Sequence, residues 1–195
     1  MDPICPVDCS TNLPVVSFDK CNPAMVASEI TKFYIAKPSA APFTDVEDPL
    51  EWAKRLSETN TVPVTSPTNT TPVGDLIRPL TVIGNRPVPT ATTKDLSNRR
   101  TKTLFKEFII NIKIDEITPE NLELQRSTEC GSLVKAWYAI QGGLLFGGND
   151  GMEGELKLDL QLDEGSDAIV AIVGTFTRKG IFTEESTTNP IAEAA

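Results

Sequence analysis

Histidine is missing from all 195 residues of this chain. Its absence removes the usual general base, the commonest metal ligand and every Ser-His or Cys-His nucleophile pair at once. Cations are also in short supply: 18 Lys and Arg face 27 Asp and Glu, for a formal charge of -9 and an isoelectric point near 4.6. A general nucleic-acid binder needs a cationic face to displace counterions from phosphate, so that class is disfavoured. No stretch approaches the roughly 20 apolar residues of a membrane span. The start, MDPICPVDCS, places an acid and two prolines where a signal peptide would carry a basic start and an apolar run. The expectation is a soluble chain made in a cytoplasm, with no membrane partner.

Cysteine is sparse, and Cys5, Cys9, Cys21 and Cys130 include no CxxC knuckle. Three of them could supply zinc ligands, with Cys130 or a carboxylate as the fourth. Without a secretion signal or a knuckle the expected state is reduced thiols, and neither a metal nor a cofactor is expected.

What the chain does carry is strand periodicity. Phe108, Ile110, Ile112 and Ile114 alternate with polar residues from Glu107 to Asp115, and only Ile109 breaks the pattern. Leu156, Leu158, Leu160 and Leu162 do the same between Glu155 and Asp163. Each stretch predicts a strand with one dry and one wet face. Further strands are predicted at Thr31 to Ala36, at Leu76 to Ile83 (an edge strand, because of Pro79), at Leu133 to Gln141 and at Ala168 to Thr177. Asp48-Pro49 opens a helix to about Ser57, with Glu51 placed to close a capping box. Thr118-Pro119 opens a second helix that Gly131 stops. Asn149-Asp150-Gly151 is hairpin-turn chemistry. The fold class predicted is mainly β (α+β), an antiparallel sandwich or barrel with one packed helix, a long loop and a terminal arm. The boundaries expected are an arm at 1–22, a domain at 23–182 containing an uncharged loop at 59–74, and a tail at 183–195.

The candidate reactive groups have simpler readings. The glycines Gly142, Gly143, Gly147 and Gly148 are followed by no Lys-Ser or Lys-Thr and lie between strands, so a bend in the sheet explains them better than a phosphate cradle. Asp150, Glu153 and Glu155 do not match the spacing of a calcium loop. Ser127, Cys130 and Ser132 lack a base, and Trp52, Trp137 and Tyr138 read as core and interface anchors. No enzyme is expected.

Four segments together are similar to the tail tube proteins of long-tailed bacteriophages, particularly those of Bacteroidetes-type hosts. They are KFYIAKPSAAPFTDVEDPLEWAKRL, IRPLTVIGNRP, RRTKTLFKEFIINIKIDEITPENLELQR and VKAWYAIQGGLLFGGNDGMEGELKLDLQL, spanning roughly residues 32 to 180. The likeness lies in the order of strands, short helices, Trp-Tyr strand and Gly-rich turn. It implies a virion protein whose copies close into hexameric rings. These stack head to tail into a conduit that DNA crosses without specific binding, alongside other virion proteins. A head-to-tail connector, a tail terminator, a capsid decoration protein, or a small-ligand or carbohydrate-binding β module are the alternatives.

Charge is segregated along the sequence. Lys94, Arg99, Arg100, Lys102 and Lys106 form a basic run, while Asp150 to Asp167 is acidic except for Lys157. If the two lie at opposite ends of the subunit, Arg99, Arg100 and Lys102 of one copy would meet Asp159, Asp163 and Glu164 of the next. The plainer reading is two solvated faces.

Overall fold

The computed structural model describes residues 26–56, 75–97, 100–162, 170–180 and 186–191, with only the backbone at Leu96 and Arg100. The alternating stretch around Phe108 becomes the longest strand, and its four apolar residues, Phe108, Ile110, Ile112 and Ile114, are all buried. In chain order the elements are β1 (Ile30–Ala36), α1 (Pro49–Leu56), β2 (Arg78–Asn85), β3 (Thr90–Leu96), β4 (Arg100–Ile114), α2 (Pro119–Thr128), β5 (Ser132–Ile140), β6 (Leu144–Phe146), β7 (Met152–Gln161), β8 (Ala171–Gly180) and β9 (Ser186–Thr188). The fold is mainly β, as the alternation predicted.

Every pairing is antiparallel. Strands β1, β2, β4, β8, β7 and β5 are neighbours in that order, and β5 returns to β1, with Phe33 opposite Tyr138 and Ile35 opposite Ala136. Six strands therefore close into a barrel, which removes the exposed edges an open sheet would carry. The interior holds Ile30, Phe33, Leu80, Ile110, Leu156, Ile172 and Phe176 among others. Helix α2 packs Leu122 and Leu124 against this cluster, so it lies over the end of the barrel where β4 finishes and β5 begins. Thr118 caps it by accepting from the Asn121 N–H at 3.2 Å, and Gly131 with φ 86° ends it. Gln125 Nε2 donates to the Leu158 carbonyl beyond the last β5–β7 pair, Ser132 with Leu156.

A second core lies outside the barrel. Tyr34 and Ala36 of β1 and Trp137 and Ala139 of β5 face away from the interior and pack with Phe43, Val46, Trp52 and Leu145. Both helices are thus packed, rather than one. Trp52 and Trp137 meet edge to face at 5.9 Å, and their indole N–H groups donate to Val46 O and Gly148 O, each at 2.8 Å. The turn at Asn149-Asp150-Gly151 is not a hairpin turn, because β6 and β7 on either side of it both pair with β5 and not with each other. Asn149 instead ties it to this core, its carbonyl and side-chain oxygens accepting from Phe43 N–H and Val46 N–H. Glu51 does not close a capping box. Its carboxylate accepts from Thr44 N–H and Asp45 N–H and pairs with Arg55 at 2.7 Å, while Asp48 caps α1 through Leu50 N–H.

Two further expectations are corrected. Strand β2 is paired on both sides, not an edge; Pro79 is tolerated because β4 joins β2 only from Ile83 onward, leaving Pro79 with Tyr34 of β1 alone. On β7 the buried row is Met152, Gly154, Leu156 and Leu158. Leu160 and Leu162 are exposed because the strand runs past the end of the core. The GGLLFGG segment contains a short strand, β6, paired to Tyr138 and Ala139. Strand β9 pairs with β6 and lies within the stretch read as a tail. The arm at 1–22 and the loop at 59–74 lie outside the described residues.

Gly84, Ile112, Gly174 and Leu158 form one inward-facing row across four strands. A Cβ on Gly174 would meet the Lys157 carbonyl and stand 2.6 Å from Leu158 Cδ2; one on Gly84 would stand 2.9 Å from Asn111 O. The two glycines let the sheet sink toward the interior, and the outer surface is hollowed there. Gly174→Val is expected to cost about 1 to 3 kcal/mol through overpacking, read as a lower urea midpoint at unchanged slope. Thr175→Val next to it, on the outer face, is expected to change stability by about 0.5 kcal/mol or less.

Candidate functional site

β4 is longer than the barrel needs. Among the described residues, it pairs with β8 from Lys106 to Ile114, from Arg100 to Phe105 its sole strand partner is β3, and β3 has no other partner. The pair is therefore a two-stranded ribbon projecting from one end of the barrel. Its register skips Leu104, which is bulged where Thr92 faces Phe105 and Thr93 faces Thr103, and a bulge bends and twists the ribbon as it leaves the sheet. At the base, Arg86 lies 4.9 Å over the Phe108 ring and donates to the Tyr138 hydroxyl at 2.9 Å, while Tyr138 stacks on Phe146 at 4.8 Å. These contacts close that mouth of the barrel around the root of the ribbon.

The ribbon has two unlike faces. On one, Asp95 accepts from Thr101 Oγ1 at 3.1 Å beside Thr93 and Thr103. On the other, Lys94 stands directly opposite Lys102, next to the pair Thr92 and Phe105. Like charges in directly opposed positions repel. Lys94, Lys102 and Lys106 are all exposed, and none has an ion-pair partner among the described residues. Leu104 and Phe105 are exposed too, at 45% and 37%. The sequence read this run as a solvated face; the strand-forming signal that it missed is Thr90-Ala91-Thr92-Thr93, rich in β-branched residues.

The opposite end carries an excess of acids, with Lys113, Lys157 and Arg126 among them. Asp115 and Glu116 follow β4, Glu120 and Glu123 lie on α2, and Asp159 stands near the end of β7; all are exposed. Asp115 pairs with Lys113 at 3.4 Å and Asp159 with Lys157 at 3.7 Å, both on the surface. Exposed apolar side chains accompany them: Ile117, Leu160, Leu162 and Val170. The twelve steps from Lys102 to Ile114 cover about 40 Å at roughly 3.3 Å per residue, so the two ends of one chain cannot meet.

Of the residues singled out from the sequence, Lys102 lies on the ribbon and Asp159 lies toward the far end. Arg100 is a backbone position in β4, and Arg99, Asp163 and Glu164 lie outside the described residues. The acidic run is divided: Asp150 and Glu153 belong to the ribbon end of β7, Glu155 lies beside Gly131 where α2 ends, and Asp159 stands nearer the end of the strand. Asp115, Glu116, Glu120 and Glu123 were missed as interface candidates because their nearness to Asp159 depends on α2 folding over the barrel end. Trp52, Trp137 and Tyr138 are core anchors.

The hollow above Gly84 and Gly174 is a groove of about 900 Å³ across β2, β4, β8 and β7, lined by Asn85, Asn111, Lys113, Lys157, Asp159 and Thr175 among others. Asn111 Nδ2 donates to Asn85 Oδ1 at 2.7 Å. Among the described residues no group of three or more His, Cys, Asp or Glu could hold a metal ion, and no helix is long and apolar enough to cross a membrane. Cys130 is exposed and free, and the other cysteines lie outside the described residues. No family model, curated protein or solved structure matches the chain.

The opposed lysines make a specific prediction. Lys94→Glu converts the repulsion to an attraction worth about 0.2 to 1 kcal/mol. Amide exchange along Thr90 to Leu96 is expected to slow by a matching factor, while exchange in β7 and β8 stays unchanged.

Proposed function

We propose that this chain is a structural, non-enzymatic subunit that assembles with copies of itself into stacked rings, forming the tail tube of a long-tailed bacteriophage. The ribbon carries the reading. Two strands that extend beyond a closed barrel, with exposed Leu104 and Phe105 and two opposed lysines, contribute little to their own subunit. An isolated hairpin is marginal in water, so a second surface is what gives it a use. The acidic composition suits a conduit, since few cations are available to hold passing phosphates. Hexameric rings, other virion proteins as partners and a place in the virion are what the resemblance implies. A connector, terminator or decoration role on the same scaffold would use the same ribbon.

A second reading is favoured by the groove alone. Its Asn85, Asn111, Thr175 and Lys157 form one outward row across four adjacent strands, a set of donors and acceptors suited to a small polar or carbohydrate ligand. A ligand-binding module would remain a monomer, whereas a tube subunit would not.

Electron microscopy and sedimentation of the purified chain separate the two, with rings or tubes expected. Replacing Thr92 to Phe105 by Asn-Gly joins Ala91 to Lys106, which are already partners, through a two-residue turn. This shortened chain is expected to keep the thermal transition of the barrel and lose assembly. A monomer at every concentration of the intact chain, together with saturable binding of a saccharide, would replace the tube reading by the second.

A further inference from the structure

The proposed assembly leaves open what the ribbon touches. We infer that the cationic face of the ribbon docks onto the acidic, apolar-lipped far end of another copy of this chain, so that copies join head to tail along the barrel axis. This inference rests on the self-assembly reading and adds the acceptor surface to it.

Three observations select that surface. Lys94 and Lys102 are opposed on one face with no anion among the described residues to offset them, so the ribbon is better accommodated against a negative surface than in isolation. The far end supplies the charge through Asp115, Glu116, Glu120, Glu123 and Asp159, and none of Glu116, Glu120 and Glu123 has an ion pair among the described residues. It also supplies apolar surface. Leu160 and Leu162, exposed at 42% and 69%, extend the row of Leu156 and Leu158 past the end of the core. Leu104 and Phe105 of the ribbon match them. Charge alone would steer two copies together, and the apolar residues give the contact something to bury.

The two surfaces belong to opposite ends of β4, a single continuous strand, and the span between them prevents a chain from satisfying its own ribbon. Each copy therefore presents one donor and one acceptor surface. Such a contact is heterologous: repeated along an axis it grows without closing. The groove on the side of the barrel adjoins that surface, since Asp159 belongs to both.

Reversing the signs tests the contact. The variant Lys94→Glu, Lys102→Glu and Lys106→Glu carries two acidic ends, and the variant Glu116→Lys, Glu120→Lys and Glu123→Lys carries two basic ends. Each alone is expected to lose long assemblies in sedimentation and electron microscopy, with the melting transition of the monomer unchanged. Mixed in equal amounts they are expected to regain growth as an alternating copolymer, and the chain carrying all six substitutions is expected to grow by itself. Raised salt should weaken growth of the unaltered chain. If the unaltered chain forms tubes but the single-end variants form them equally well, or the mixture stays dispersed, the docking surface is wrong and self-assembly stands. If the unaltered chain never assembles, both inferences fall.

Discussion

The pairing of β1 with β5 is the contact on which the architecture depends. It joins the first and last strands of the six-stranded circuit and turns a sheet into a barrel. It also buries both faces of the two strands that make it. Phe33, Ile35, Ala136 and Tyr138 fill the interior, whereas Tyr34, Ala36, Trp137 and Ala139 form the floor of the outer core. The segment Lys37 to Leu56 and α1 are laid over that floor, with Arg55 held between the Phe43 ring at 4.1 Å and the carbonyls of Ala41 and Pro42. A buried guanidinium is tolerable only with such partners, and here Glu51 supplies the counter-charge as well.

Closure has a consequence for the surface. A barrel has no free edges of its own, so contact with another molecule falls to the strands outside it, β6 and β9 beside β5, and β3 on the projecting ribbon. On β3, the bulge against Leu104 and the edge lysine, Lys94, both discourage indiscriminate strand addition. The ribbon is thus suited to a particular partner surface and guarded against aggregation through its backbone. The hollowed outer face arises from the same closure. Gly84 and Gly174 provide the room for a narrow circuit to curl, and the groove is the external record of that curl.

Much of the fold was legible in the residues. Phe108 to Ile114 and Leu156 with Leu158 alternate because one side of each strand meets the interior, and a period of two survives whatever the neighbouring strands are. Thr118-Pro119 and Gly131 marked the ends of α2 because capping is a local hydrogen-bonding matter. The alternation at Leu160 and Leu162 was equally plain, yet those residues are exposed. Periodicity reports which side a residue faces and not how far the core extends along the strand.

Charge followed the same division. The acidity of the chain, the lack of histidine, the two-faced strands and the basic run at Lys94 to Lys106 follow from residue identity and short-range spacing alone. Long-range pairing was needed for β1 and β5 to close a barrel, for the basic run to project as a ribbon, and for Glu120 and Glu123 to join Asp159 at the far end. The acids at Asp150 and Glu153 were separated from Asp159 for the same reason: β7 runs the length of the barrel. Which groups become neighbours depends on strand order and direction. Those are set by contacts between residues as far apart as Phe33 and Tyr138, beyond the reach of any local pattern.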